Sequence, residues 1–333
     1  MDSRIKKARE AEAGGRIDEA TAIYAGILAE DPTDGVVQRR IAKLNTLRFA
    51  RWPRAIAEFA DPADVVRRYV LSELEPGAGW LTPASKVVTF GSCFARHLAE
   101  GLVSRGLSVF YKRLAEDVNT TFANRHLIEW VAGIPGPHSD QFDAAFPRER
   151  AEFEVAVRAC DLVILTLGVA PSYFDAAGEV VLALGGEGSR RLVTVGNTVR
   201  TTTVSENADN IREIIARLRE MNPGVRVFLT LSPVALIATL ERKSAVLADC
   251  VSKSVLRLAA EEVVNTVPDV NYWPSFEIVR WLGPYLPRPP FAEEDGSTRH
   301  VSLWMRDLII GLFIEYFGSA ELASANQDEA LPA

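Results

Sequence analysis

A hydroxyl and a thiol stand side by side at Ser92 and Cys93, inside the stretch KVVTFGSCFARHL at residues 86–98. Either can attack an electrophilic carbon, the thiol as its thiolate. An apolar, β-branched run leads into Gly91, and a helical pattern follows at once. A strand that turns directly into a helix holds the first helical residue at a sharp corner. The N–H groups of that turn have no intrahelical acceptor, and the helix dipole favours negative charge beside them. A nucleophile there has its anion stabilised, and a developing oxyanion meets N–H donors. Cys93 would be the more acidic for this location. Ser92 could instead be the N-cap, its oxygen accepting from an N–H two or three residues on.

An activated nucleophile needs a base, and the base needs a group to orient it. The chain has four histidines. His97 follows Cys93 by four residues, one turn into the helix body, where packing is its natural role. His126 sits early in a helix and His138 in the loop GIPGPHSD. His300, in EEDGSTRHVS, opens the last helix with Asp295 five residues upstream. An acid just upstream can hold the imidazole and stabilise its cation.

The elements that must carry these residues alternate from residue 86 onward. KVVTF, LSVFYK, DLVILTLG, RVFLTLSP and DVNYWPSFEIV read as strands. Helices are expected up to about residue 105, around 123–133, over 243–264 and over 301–317. Apolar strands separated by helices predict a parallel sheet covered on both faces, with ligands at the carboxyl ends of its strands. Those ends are TFGSCF, TLGVAPSY, TLSPVAL and the stretch after YWPSFE. GEVVLAL and RRLVTV, joined by GGEGS, predict an inserted hairpin. LGGEGSRR lacks a strand-to-helix context, so it reads as a hairpin turn and not a phosphate loop.

Upstream, residues 3–45 read as helices joined by short turns. Ala20, Tyr24 and Ile27 lie at helical spacing before Asp31-Pro32. This resembles one tetratricopeptide unit, a cap for the main domain or an arm for a protein partner. The expected organisation is a tetratricopeptide-like segment at 1–45, a linking region at 46–83, an α/β domain at 84–320 and a flexible tail at 321–333.

Composition sets outer bounds. With 48% hydrophobic and 24% charged residues in 333, the chain can bury a large core and is not wholly disordered. A net charge of −7 argues against a nucleic-acid partner. Cys93, Cys160 and Cys250 form no CxxC pair, so neither a disulfide framework nor a metal site is expected, and no cofactor is implied. Cys160 and Cys250 read as small core residues. The first residues are charged and carry no secretory pattern. No apolar run reaches the roughly 18 residues of a membrane span. A cytoplasmic protein is the expectation.

FGSCFA at 90–95 resembles the signature of the GSCFA family. TLGVAPSY (166–173), LTLSPVAL (229–236), SKSVLR (252–257), WPSFE (273–277) and RHVS (299–302) are similar, in order, to its further segments. The resemblance runs over roughly 84–317. It implies membership of the SGNH-hydrolase-like superfamily, a flavodoxin-like three-layer αβα fold with about five parallel strands, and hydrolysis or transfer of acyl groups by a Ser-His-Asp or related constellation. The superfamily's G-D-S corner, laid over FGSC, puts Gly91 on the glycine, Ser92 on the aspartate and Cys93 on the nucleophile. Sliding by one residue would restore Ser92. The superfamily's third block carries an asparagine two residues after its glycine, but Gly168 is followed by Val169 and Ala170. The oxyanion donors then fall to the backbone at the Gly91 corner with Asn119 or Asn124, which follow the second strand; turn and N-cap chemistry would also place asparagines there. The Asp–His spacing is five where the superfamily has three, which leaves Asp295, or Glu293 or Glu294 in its stead, to orient His300. Gly168 and Ser232 lie in the matching strand ends. Lys253 and Arg257, one turn apart, suit an anionic substrate or a solvated face; Glu277 suits the site or a hydrogen-bonded interior. The expected activity is that of an acyl-ester hydrolase or O-acyltransferase acting on a small-molecule or carbohydrate acyl substrate. The alternative is a non-catalytic ligand- or protein-binding module with a helical interaction arm.

Overall fold

The computed structural model describes residues 3–13, 16–47, 50–115, 119–182, 184 and 195–325. The chain divides into two compact units, Met1–Glu58 and Phe59–Ala333.

In the first unit, α1 (Ser3–Ala13), α2 (Ile17–Glu30) and α3 (Gly35–Leu47) follow one another. Ala20, Tyr24 and Ile27, picked out by their spacing, are the buried face of α2. They meet Ala8 and Ala11 of α1 and Val37 and Leu44 of α3 in a core of their own. Alanines at the contacts let the helices approach closely. The Tyr24 hydroxyl donates to Glu12 at 3.3 Å and Arg40 donates to the same carboxylate at 3.1 Å.

The second unit opens with α4 (Pro62–Tyr69), capped by Asp61. Then come β1 (Lys86–Gly91), α5 (Cys93–Val103), β2 (Ser108–Arg113), α6 (Thr121–Val131), α7 (Ser139–Ala145), α8 (Glu149–Ala159) and β3 (Leu162–Leu167). After β4 (Pro171–Phe174), β5 (Val180–Val181) and β6 (Thr198–Thr201) the chain continues through α9 (Val204–Met221), β7 (Arg226–Leu231), α10 (Ala245–Thr266) and β8 (Val270–Tyr272). Helical turns over 275–285 precede α11 (Leu303–Phe317) and α12 (Ala320–Ala325).

The main sheet has the order β2-β1-β3-β7-β8, with every pairing parallel. This is the flavodoxin-like order, and its sense reverses between β1 and β3. Alternate strand residues feed two cores. Val88, Phe90, Val163, Leu165, Val227 and Leu229 pack with α6, α8, α9 and α10. Val87, Leu162, Ile164 and Phe228 pack with α4, α5 and α11. The result is the expected three-layer α/β architecture. The turn GGEGS of the expected hairpin, and most of RRLVTV, lie outside the described residues. Among the described residues, β5 and β6 each pair antiparallel with β4 in a small second sheet.

Phe59, Val65, Val66, Leu71 and Leu81 enter the second core ahead of β1. This stretch is laced to the far end of the unit. The Ala78 N–H donates to Tyr316 O at 2.9 Å, that of Leu81 to Phe317 O at 2.9 Å and that of Ser319 to Leu81 O at 2.7 Å. Among the described residues no helix is long and apolar enough to cross a membrane.

Candidate active site

The corner after β1 is built on a glycine that nothing else can replace. Gly91 has φ +112°, and a Cβ there would stand 2.2 Å from the Thr166 carbonyl oxygen on β3. That closeness lets the next residue hang on Thr166. The Ser92 N–H donates to Thr166 Oγ1 at 2.7 Å, and the Ser92 hydroxyl donates to the same oxygen at 2.9 Å. Ser92 Oγ also accepts from the Phe94 N–H at 3.3 Å as the N-cap of α5. Ser92 is buried, with its hydroxyl and amide both committed to the scaffold. Cys93 is the first residue of α5 and is half-buried.

A cleft of about 240 Å³, open to solvent, lies at this switch point. Ser92, Cys93, Asn119, Gly168, Val169, Ser232, Val234 and Lys253 line it. They come from the segments that follow β1, β3 and β7, from the start of α5, from Asn119 just ahead of α6, and from α10. Lys253 on α10 is buried and donates from Nζ to Gly168 O at 2.8 Å. Its neighbour Ser252 accepts from the Ala170 N–H at 2.8 Å. Two adjacent residues of one helix thus clamp the loop after β3. Asn119 rests on Gly168, where a Cβ would come within 2.7 Å of Asn119 O. Asn119 is 1% exposed. Its Oδ1 accepts from Asn124 Nδ2 at 2.9 Å, whereas its own Nδ2 is buried without a hydrogen-bond partner.

The histidine near the end of the chain lies alongside α5. His300 Nδ1 and Asp295 Oδ2 are 2.5 Å apart. This hydrogen bond holds the Asp295 carboxyl below its usual range. An ionised carboxylate can only accept, so Nδ1 carries the proton and Nε2 remains the basic nitrogen. The loop bends back with Gly296 at φ +69° and is closed by a bridge between Phe291 and Val301. The five-residue spacing is taken up in that bend. Arg299 donates to Ala235 O at 2.9 Å, tying the loop to the segment after β7. The His300 ring lies 6.4 Å from that of His97, one turn along α5 from Cys93. His300 is exposed and is not among the residues that line the cleft. Burial lowers the basicity of His97.

The other expected residues are placed elsewhere. Glu293 pairs with Arg288, and Glu294 accepts from the Leu303 N–H at the start of α11, so Asp295 is the partner of His300. Arg257 and Glu277 bond one another at 2.7 Å, with the Tyr272 hydroxyl on the same carboxylate, outside the cleft lining. His126 and His138 face each other on α6 and at the start of α7, with ring centroids 4.8 Å apart. Cys160 is buried, as expected, and burial pushes its thiol up to about 12. Cys250 is exposed on α10, which corrects its reading as a core residue: it follows Ala248 and Asp249, the buried positions of that turn. Thr166 and Ser252, which fix the corner and the loop, carry no chemical signal in the sequence beyond their places in the TLG and SKS segments. Among the described residues, no group of three or more His, Cys, Asp or Glu is placed to hold a metal ion.

No curated protein matches the chain. Solved structures give distant likenesses. A GDSL-like lipase from Parabacteroides merdae is 13% identical, with TM-score 0.37, covering 73% of this chain and 99% of its own. A carbohydrate esterase family 2 enzyme from Myceliophthora fergusii is 11% identical, with TM-score 0.38, covering 73% and 67%. An acetyl xylan esterase from Butyrivibrio proteoclasticus is 10% identical, with TM-score 0.37, covering 70% and 63%. The GSCFA family model matches residues 134–303, starting after the FGSCFA corner and taking in the clamp of α10 and the Asp295–His300 loop. That span is just over half of the 333 residues, and the chain belongs to the GSCFA family.

Proposed function

We propose that the protein is an acyl-ester hydrolase or O-acyltransferase with Cys93 as nucleophile and His300 as base. The observation that carries this reading is the unpartnered Asn119 Nδ2 in the cleft that Cys93 lines. A buried donor without an acceptor costs about 1–3 kcal/mol. A fold retains such a group where a ligand oxygen completes the bond, as a developing oxyanion would. Ser92 is the weaker candidate because its hydroxyl already serves Thr166 and Phe94.

In the first half-reaction the Cys93 thiol gives its proton to His300 Nε2 and its sulfur attacks the acyl carbonyl carbon. The S–C bond forms as the carbonyl electron pair moves to oxygen, toward Asn119 Nδ2 and the positive end of α5. Collapse breaks the C–O bond to the leaving alcohol, which takes the proton from His300. In the second half-reaction water or an acceptor hydroxyl, a carbohydrate hydroxyl in the transferase case, gives its proton to His300 and attacks the thioester. The C–S bond breaks and the sulfur recovers the proton. Asp295 orients the ring throughout, while Ser232, Gly168 and Lys253 border the substrate. Rates on a p-nitrophenyl acetate series for wild type, Cys93→Ala, Ser92→Ala and His300→Ala test this. Loss in the first and last variants is expected; equal rates in all four proteins end the reading.

One observation favours a second reading. His300 is 48% exposed and not in the cleft lining, which suits a ligand-binding module without turnover. A Cys93 thiol that alkylates slowly at neutral pH would favour it. We also read residues 1–45 as a tetratricopeptide-like arm for a protein partner, on a cytoplasmic protein. The support is the helical packing of Ala8, Ala20 and Tyr24. Deleting the arm should abolish partner capture and leave ester hydrolysis intact.

A further inference from the structure

One buried carboxylate gathers the rim of the cleft. Asp249, on α10, accepts from the Leu236 N–H at 2.9 Å with one oxygen and pairs with Arg280 at 3.0 Å through the other. The three segments that meet there each carry large exposed apolar side chains within three residues of the knot. Ile237 follows Leu236, Val246 and Leu247 precede Asp249 by less than one helical turn, and Trp281 follows Arg280. These four are between 59 and 79% exposed. Two exposed cations, Arg242 and Lys243, stand on the connection between Ile237 and Val246. The nearby acids have partners. Asp249 holds Arg280, and Glu241 accepts from Thr201 while standing 3.9 Å from Arg242. The patch adjoins the cleft, since Val234 lies two residues before Leu236 and Lys253 one turn after Asp249.

Exposed apolar side chains scattered singly need no explanation, but a grouped set does. We infer that this rim is a contact for an anionic lipid surface, and that the cleft works on an ester presented in that surface. Aliphatic side chains, an indole and two ammonium or guanidinium groups on one rim are the chemistry of interfacial binding: apolar groups enter the acyl boundary and cations meet headgroups. An acidic protein would satisfy the cations but leave the aliphatic tips without a matching surface. The inference deepens the ester reading above and rests on it only for the identity of the substrate.

Co-flotation of the full chain with vesicles tests it, comparing pure phosphatidylcholine with phosphatidylcholine containing a one-third share of phosphatidylglycerol. The chain is expected to float with the anionic vesicles and far less with the neutral ones. Arg242→Gln with Lys243→Gln should weaken the anionic binding by about thirtyfold, each cation being worth about fivefold. Val246→Ser, Leu247→Ser and Trp281→Ser together should abolish flotation. None of these should change hydrolysis of soluble p-nitrophenyl acetate, and Cys93→Ala should float like wild type. A Cys93→Ala protein that hydrolyses normally overturns the ester reading and leaves the surface standing. Absence of flotation with either vesicle, or flotation unmoved by both variants, overturns the surface. So does a self-associating wild type that the serine variant turns monomeric in sedimentation without vesicle binding, for then the patch joins two copies of the chain.

Discussion

Asn124 Nδ2 donates to Asn119 Oδ1 at 2.9 Å and to Thr120 O at 2.8 Å, and so decides which end of the Asn119 amide faces the cleft. With its oxygen held, Asn119 can offer only Nδ2. Removing that amide should separate activity from stability. Asn119→Ala is expected to lower kcat for ester hydrolysis by about a hundredfold. Its melting temperature should hold or rise, because a buried unsatisfied donor has gone. Asn124→Ala should lower kcat in the same direction with KM little changed. Steady-state kinetics beside a thermal melt reads both.

The two glycines of the site should fail differently. Gly91→Ala forces a Cβ against the β3 backbone at a positive φ and is expected to cost about 4 kcal/mol or more. Gly168→Ala pushes on Asn119, so its stability loss should be about 1–3 kcal/mol, with an activity loss near a hundredfold from the displaced donor. Urea denaturation and hydrolysis rates distinguish them.

Thiol chemistry should rank the cysteines. In the folded chain at neutral pH, iodoacetamide should label half-buried Cys93 and exposed Cys250, with Cys93 the faster for its place at a helix N-terminus. Cys160, buried and pushed up to about 12, should label only after unfolding. Peptide mapping by mass spectrometry against time gives the order, and rapid labelling of Cys160 in the native protein would contradict it.

Acid should release one designed bond of the small sheet. Arg200 on β6 donates to Glu206 at 3.0 and 2.6 Å, and this holds the Glu206 carboxyl down at about 2 against an ordinary 4.5. A lowered carboxyl stabilises the fold fully above its unfolded value and loses that contribution as pH falls toward its folded one. Glu206→Gln should therefore be less stable than wild type by about 1 kcal/mol at neutral pH, the figure being modest because the pair is largely solvated. The gap should narrow between pH 4.5 and about 2. Denaturation midpoints of the two proteins across that range measure it.

The sheet was legible because each strand is a short apolar run closed by a helix, and all five expected strands pair in parallel. The corner was legible for the same reason: a strand stops at Gly91 and a helix starts at Cys93. Helices α7, α8 and α9 were not read out, although α9 carries a signal, the Thr203–Glu206 capping box ahead of Ile211, Ile214 and Leu218. The pairing of Asp295 with His300 was expected in spite of its spacing. The clamps were not legible. Ser252 binding Ala170 and Thr166 binding Ser92 join residues more than seventy positions apart, and no local pattern encodes such a meeting. Cys250 misled because its neighbours on α10 are mostly buried; only the helix phase puts it outside.

Residues 78–81 are stitched to 316–319, so the larger unit cannot finish folding until almost its last helix has been made. A ribosome delivers Cys93 about two hundred residues before the imidazole paired with Asp295. The Asp295–His300 pair therefore forms only in the last stage of the unit's synthesis, long after Cys93 has left the ribosome.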